Sequence, residues 1–317
     1  MVAATMRGRF APSPTGRMHL GNMRSALLGW LQARAKGGAF LLRIEDLDRA
    51  RCRPQFLQDL YEDLRWLGLD WDETPLIQSE RDSVYREAQE KLTREGLIYP
   101  CFCTRAEIAR AASAPHGLSD EGPRYPGTCA HLTAEQVSER ARTRAPAYRF
   151  RAREGEVRFV DELMGPYVQD VQALVGDFVV RRNDGVASYQ LAVVVDDAAS
   201  RITHVLRGDD LLPSTPRQLQ LYAALGLPAP AFLHVPLVMG EDGKRLAKRD
   251  GAFALAELRA RGRPPEYVLG LLAAWSGLGD GSPVTLPALV ARYRTDVLPR
   301  EPVVAREALL LDALGLR

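Results

Sequence analysis

The segment best equipped for chemistry is Arg9-Phe10-Ala11-Pro12-Ser13-Pro14-Thr15-Gly16, followed closely by His19-Leu20-Gly21-Asn22. It sets a strand end, a turn of small residues and prolines, and a helix N-terminus in one short stretch. Free backbone N–H groups and the positive end of the helix then face one crevice, which suits a triphosphate. Gly21 lets a flat base approach closely, and His19 can donate to a phosphate oxygen. A proline-rich turn with a helix-capping histidine fits the same string. A second segment, Gly243-Lys244-Arg245-Leu246-Ala247-Lys248-Arg249, crowds four cations beside a glycine. Such a loop can close on phosphates and stabilise charge as pyrophosphate leaves. A solvated basic loop has the same composition. It is not a P-loop, since two residues rather than four separate Gly240 from Gly243. Gly277-x-Gly279-x-Gly281 is no dinucleotide fingerprint, because no helix follows in the right place.

Cysteine supplies a third constellation. The chain has four: Cys52, Cys101, Cys103 and Cys129. Cys-x-Cys is a poor spacing for a bridge between its own members, and a disulfide scaffold needs more cysteines in a shorter chain. Cys101, Cys103 and Cys129 therefore read as three soft ligands of a metal site in a reducing compartment. Zinc takes a fourth ligand in a closed structural site. Tyr125 and His131 are both near, and ligand chemistry alone prefers His131. Three incidental buried thiols are the plainer reading. Cys52 is a thiol beside a basic turn.

These segments need elements to hold them. The 317 residues, 46% hydrophobic and 26% charged, suffice for about two domains with real cores. Lys and Arg number 42 against 40 acids, so any nucleic-acid surface must be a local patch. No signal-peptide core opens the chain. The longest uncharged run, Gln218 to Gly240, is broken by Pro228, Pro230 and Pro236, which argues against a membrane helix. A soluble cytoplasmic protein is expected. Apolar spacing predicts a short strand at 9–11, a helix over about 19–36, a strand at 40–44, and helices over about 54–67 and 83–95. This alternation implies a parallel, doubly wound α/β sheet. From about Tyr99 short strands near 147–151 and 157–160 suggest an insertion with its own β core. Alternation returns from Phe178, with strands at 192–195 and 204–207 and a helix near 216–225. The remainder, from about Ala252, is helical.

Taken together, the first two segments resemble the paired signatures of class I aminoacyl-tRNA synthetases. Arg43-Ile44-Glu45-Asp46-x-Asp48, Tyr189-Gln190-Leu191-Ala192-Val193-Val194-Val195-Asp196-Asp197 and Arg207-Gly208-Asp209-Asp210 extend the resemblance to the glutamyl-tRNA synthetase group, in its order, across about residues 7 to 255. The resemblance implies a Rossmann-like catalytic domain in two halves (1–100 and 178–252), a zinc-containing α+β insertion (101–177), and a short helical stem-contact unit (253–317). It implies that Arg9, Ala11 and Ser13 line a glutamate pocket. Arg9 and Arg207 would face the two carboxylates, Glu45 would accept from the ammonium, and Tyr189 would add a hydroxyl. His19, Gly21, Asn22, Arg245 and Lys248 would serve ATP and its Mg2+. Asn22 stands where the broad class has a second histidine, and Ala247 where the lysine loop usually has serine, which implies weaker loop order with Lys248 kept.

Cys-x-Cys followed by Tyr-x-x-x-Cys resembles the truncated glutamyl-queuosine tRNA(Asp) synthetases, and implies Tyr125 as the fourth zinc ligand in place of His131. With about 60 residues after the lysine loop, no anticodon-reading domain is expected. The implied reaction is ATP-dependent activation of L-glutamate to glutamyl-adenylate, then transfer to the queuosine of tRNA(Asp), by a monomer. A truncated glutamyl-tRNA synthetase charging a tRNA 3′ end, or a non-catalytic zinc-containing RNA-binding paralogue, are the alternatives. The stretch Arg140 to Arg153 carries six arginines and no acid. With Tyr148 and Phe150 interleaved, it can follow a phosphate backbone and stack on a base; a solvated face of the insertion fits equally.

Overall fold

A computed structural model of the chain describes residues 5–111, 123–244 and 255–305. The first half alternates as expected: β1 (Arg7–Phe10), α1 (Leu20–Ala35), β2 (Ala39–Ile44), α2 (Pro54–Trp66), β3 (Leu76–Ile77) and α3 (Asp82–Arg94). β1 pairs parallel with β2, and the end of β2 pairs parallel with β3. Helix α1 is buried on most sides: Leu20, Met23, Ala26, Leu27, Leu28 and Leu31 are fully buried, and so nearly are the polar Arg24 and Gln32. A helix covered this way belongs inside the core.

The insertion comprises β4 (Ile98–Cys101), α4 (Arg105–Ala111), α5 (Ala134–Ala141), β5 (Ala147–Phe150), β6 (Glu156–Asp161), β7 (Gly165–Asp170), α6 (Val171–Leu174) and β8 (Phe178–Arg181). Strands β4, β5 and β8 form an antiparallel sheet, and β6 and β7 a separate hairpin. Strand β8 thus completes the insertion's sheet and does not join the parallel one.

Alternation then resumes with α7 (Tyr189–Ala199), β9 (His204–Gly208), α8 (Thr215–Leu225), β10 (Ala231–Val235) and β11 (Val238–Met239). Strands β9 and β10 are parallel. The Thr203 N–H bonds the Arg7 carbonyl at 2.9 Å, laying β9 beside β1. The parallel strands therefore form a sheet β3-β2-β1 beside a pair β9-β10, with mixed α/β content as expected. One expected strand is wrong. The run Ala192 to Val195 lies in α7, whose first turn is capped by the Ser188 hydroxyl accepting from the Leu191 N–H. β-branched residues favour strands weakly, and burial on all sides of a helix overrides that preference. The C-terminal part is helical as expected, with α9 (Leu255–Ala260), α10 (Pro265–Ala274) and α11 (Leu286–Arg292). Its last strand, β12 (Val303–Val304), returns to pair with β11. Among the described residues no helix is long and apolar enough to cross a membrane.

Candidate active site and cysteine module

A cavity of about 590 Å³ opens where β1 and β9 end and α1 begins. Open parallel sheets bind ligands there, because the loops leaving neighbouring strands part to opposite faces. Arg9, Ala11, Ser13, His19, Gly21, Asn22, Glu45, Tyr189 and Arg207 all line it. Arg245, Ala247 and Lys248 lie outside the described residues.

Asp197 of α7 sits at the centre of the charge arrangement. It accepts from Arg9 Nε at 3.2 Å and from Arg43 Nη1 at 2.5 Å, while Arg43 Nη2 bonds Glu45 Oε1 at 3.1 Å. Burial drives the Asp197 carboxyl upward, but Arg43 and Arg9 outweigh it and hold it below the usual carboxylate range. For Glu45 burial wins over the same two cations, and its pKa is raised. Two cations and two carboxylates thus offset one another.

Arg207 is different. It is only 5% exposed, and its guanidinium donates to His234 Nε2 at 2.9 Å, Thr215 Oγ1 at 2.8 Å and Gln218 Oε1 at 2.9 Å. Tyr189 Oη stands 3.5 Å from Nη1. Among the described residues no carboxylate pairs with it. Burial lowers its pKa, and Arg9 adds repulsion. A buried cation held by neutral partners on a cavity wall is a receptor for an anion. A Cβ on Gly208 beside it would lie 2.5 Å from Asp210 Oδ1, so that side chain would have to shift.

At the other end, α1 presents its N-terminus. The His19 N–H bonds Asn22 Oδ1 at 3.3 Å, so Asn22 closes the first turn. Arg24, one turn on, donates to the Pro236 carbonyl at 2.6 Å and Ser276 Oγ at 3.1 Å. Burial lowers its pKa to about 10, against the pull of Asp209. Arg24 ties the start of α1 to β10 and to the C-terminal helices.

Sequence reasoning assigned no role to Arg43, Asp197, Arg24, His234 or Asp161. One signal was available for Asp197: two acids directly after three valines in a buried helix require partners. Asp196 has them in Gln78, Arg81 and Tyr85.

The cysteine module gathers apart from the cavity. The sulfurs of Cys101, Cys103 and Cys129 lie within 4.8 Å of one another. Tyr125 Oη stands 3.4 Å from Cys101 Sγ and 3.9 Å from Cys103 Sγ, and accepts the Cys129 N–H at 2.9 Å. Tyr125 is buried, whereas His131 is exposed. Gly176 admits the tyrosine backbone: its φ is +72°, and a Cβ there would lie 2.3 Å from the Tyr125 carbonyl oxygen. Three thiols and a phenol, close and mostly buried, suit a soft four-coordinate cation. Burial, with its Cys101 and Cys129 neighbours, pushes the Cys103 thiol up to about 12. Burial also acts on Cys101, yet the Tyr125 hydroxyl and Arg149 hold that thiol below its usual value.

Four arginines of the 140–153 stretch reach this module. Arg149 stacks 3.8 Å over the Tyr125 ring and donates to Cys101 Sγ at 3.2 Å. Arg151 lies 4.5 Å over Tyr99, Arg144 bonds the Phe102 carbonyl at 2.6 Å, and Arg140 reaches Cys129 Sγ at 3.7 Å. Phe150 is fully buried and Tyr148 partly so. Arg140, Arg142, Arg144 and Arg153 are exposed, so the stretch turns some of its cations inward and leaves others on the surface. Strand alternation sends Phe150 into the core, and the guanidinium groups of Arg149 and Arg151 stack on Tyr125 and Tyr99.

Comparison with known proteins agrees with this geometry. The family described as class I tRNA synthetases for glutamate and glutamine (E and Q), catalytic domain, matches residues 5–277. A glutamyl-Q tRNA(Asp) synthetase of Symbiobacterium thermophilum is 55% identical over 93% of this chain and 94% of its own length. One from Nocardia farcinica is 50% identical over 96% and 94%. The crystal structure of a glutamate tRNA ligase from Elizabethkingia meningosepticum, in complex with its amino acid, superposes with a TM-score of 0.83 at 28% identity. It covers 98% of this chain and 68% of that one.

Proposed function

Because the chain belongs to the catalytic-domain family of class I glutamyl- and glutaminyl-tRNA synthetases and is a ligase-type enzyme, we propose that its cavity activates L-glutamate with ATP. The product, glutamyl-adenylate, then passes its acyl group to the queuosine of tRNA(Asp). The observation that carries the glutamate assignment is Arg207, a buried guanidinium on the cavity wall with no carboxylate partner among the described residues. Its remaining nitrogen, Nη1, can donate to a carboxylate. Arg9 supplies a second cation on the same wall, and Glu45 an acceptor for the substrate ammonium.

In this reading the α-carboxylate attacks the α-phosphate in line and pyrophosphate departs. His19, Gly21 and Asn22 at the α1 N-terminus hold the nucleotide, while Arg245 and Lys248 steady the leaving group. Class I synthetases use ATP with Mg2+, which neutralises phosphate charge when bound. No protein nucleophile is required, so positioning and charge stabilisation supply the rate. A hydroxyl of the RNA then attacks the adenylate carbonyl, and AMP leaves.

Cys101, Cys103, Cys129 and Tyr125 would hold a structural zinc ion that ties β4 to the following loop. The division into two catalytic halves, an insertion and a C-terminal helical unit belongs to the same reading, as does action as a monomer. The glutamyl-Q relatives match over nearly their whole length, which favours queuosine over a tRNA 3′ end.

Pyrophosphate exchange with glutamate and ATP, without RNA, tests the first step. Labelled glutamate should next appear on queuosine-containing tRNA(Asp) and not on tRNA(Glu). Exchange that needs tRNA(Glu) would point to the conventional synthetase reaction, and none under any condition would refute activation.

A further inference from the structure

A buried relay that the proposed chemistry leaves unused ties the amino-acid end of the cavity to the β6–β7 hairpin. Asp161, the last residue of β6, accepts the N–H groups of Leu163 and Met164 at 3.0 and 2.9 Å, which closes the hairpin turn. The same carboxylate accepts the His234 N–H at 3.1 Å, and its Oδ2 lies 2.6 Å from His234 Nδ1. His234, on β10, is fully buried. Its Nε2 lies 2.9 Å from Arg207 Nε and 3.3 Å from Thr215 Oγ1. The hairpin is fastened to β10 once more where the Glu162 N–H bonds the Phe232 carbonyl at 2.8 Å.

Only one arrangement of protons satisfies these groups. A guanidinium can only donate, so Nε2 must accept and the ring proton sits on Nδ1, facing the carboxylate. The opposite tautomer sets two N–H donors against each other and turns a lone pair toward Asp161. Burial lowers the His234 pKa to about 4, over the opposing pull of Asp161 and with added repulsion from Arg207. The ring is therefore neutral near pH 7.

We propose that Asp161 and His234 are positioning residues for Arg207: the carboxylate selects the imidazole tautomer, and the imidazole fixes the guanidinium that grips the substrate carboxylate. The proposal rests on Arg207 as a glutamate ligand. It makes the insertion's hairpin a structural part of the amino-acid pocket. The turn that joins β6 to β7 and the cation facing the substrate share one carboxylate anchor.

The test is RNA-free pyrophosphate exchange by the full chain, with glutamate and ATP varied separately. Asp161→Asn keeps the size and the backbone acceptor, but its amide can donate to Nδ1 and drive the proton onto Nε2. The expected result is a glutamate KM raised roughly 10- to 100-fold, the worth of one charge-assisted hydrogen bond, with the ATP KM unchanged. Adding His234→Gln should restore most of the loss, because an amide oxygen can meet Arg207 whatever stands at position 161. Equal effects on both substrates, or a double variant no better than Asp161→Asn alone, would overturn the relay. Nitrogen NMR of the wild-type histidines, with His234 assigned from His234→Gln, should show a proton on Nδ1. A proton on Nε2 would overturn it whether or not exchange is detected. Wild-type exchange that ignores glutamate would remove the pocket assignment itself. Glutamate-dependent exchange with an unaltered KM in Asp161→Asn would remove the relay alone.

Discussion

Replacing Arg207 with lysine keeps the charge and removes the fork. In the folded chain Nε and Nη2 are committed to His234, Thr215 and Gln218, while Nη1 has only the Tyr189 hydroxyl at 3.5 Å. Nη1 therefore remains to meet a substrate carboxylate. An ammonium is a point donor on a shorter stem and cannot hold the three fixed partners while also presenting a donor to the substrate. Losing the charge-assisted hydrogen bond from Nη1, at about 1.5–3 kcal/mol, amounts to about 10- to 100-fold in kcat/KM for glutamate. A second signature follows from burial. Beside Arg9 and away from water, an ammonium loses its proton far more readily than the guanidinium it replaces. Residual activity of Arg207→Lys should therefore rise as pH falls from 9 toward 6, with no matching rise in the wild type. Glutamate-dependent pyrophosphate exchange across that range measures both, and a thermal melt checks that the variant folds. A folded Arg207→Lys with wild-type kcat/KM would refute the reasoning, since Arg24, the other buried cation of the cavity without a carboxylate partner among the described residues, is held at the α1 end by the Pro236 carbonyl and Ser276.

Four further outcomes are expected. Asp197→Asn leaves Arg9 and Arg43 facing each other in the interior, and urea unfolding should show a loss of about 3–5 kcal/mol; a change below about 1 kcal/mol would mean the cations are solvated. His234 has its pKa depressed to about 4 from an ordinary 6.5, so the unfolded chain binds the extra proton first. Stability should be full above pH 6.5 and decline by about 3 kcal/mol as pH falls to 4, and His234→Gln should flatten that segment of the curve. Cys129→Ser should lose bound zinc by metal analysis while His131→Ala keeps it, and zinc loss in His131→Ala would transfer the fourth ligand from Tyr125. Lys248→Ala should cut adenylate formation by orders of magnitude at unchanged zinc content, and wild-type turnover would remove its role.

The helices of the first half were legible because their signals are local. The helix expected over about 54–67 spans Pro54–Trp66, with proline at its start and Gly68 just after it. The helix expected over 83–95 spans Asp82–Arg94 and is followed by Gly96. The run at 192–195 misled because three valines read as a strand, and only contact on every side of α7 makes it a helix. The arginines from 140 to 153 divide in a way that the sequence does not show. Composition cannot tell a guanidinium that faces solvent from one that stacks on Tyr125 or Tyr99.

What the sequence determined by itself is the set of chemical groups and the strings that carry them: Arg9 through Asn22, Glu45, Tyr189, Arg207 and the three cysteines with Tyr125. Their identities are written in short segments, and a segment's chemistry survives without knowledge of its neighbours. What only the tertiary structure decided is how they are paired. Asp197 meets Arg9 across 188 positions and Arg43 across 154, while Asp161 meets His234 across 73. Whether a buried charge is neutralised or left to face a ligand depends on these distances, because Coulomb energy and desolvation are set in space and not along the chain. Arg9 and Arg207 are the same residue type at the ends of neighbouring strands. The fold gives one a carboxylate and the other a histidine, and that difference makes the second a candidate grip for substrate.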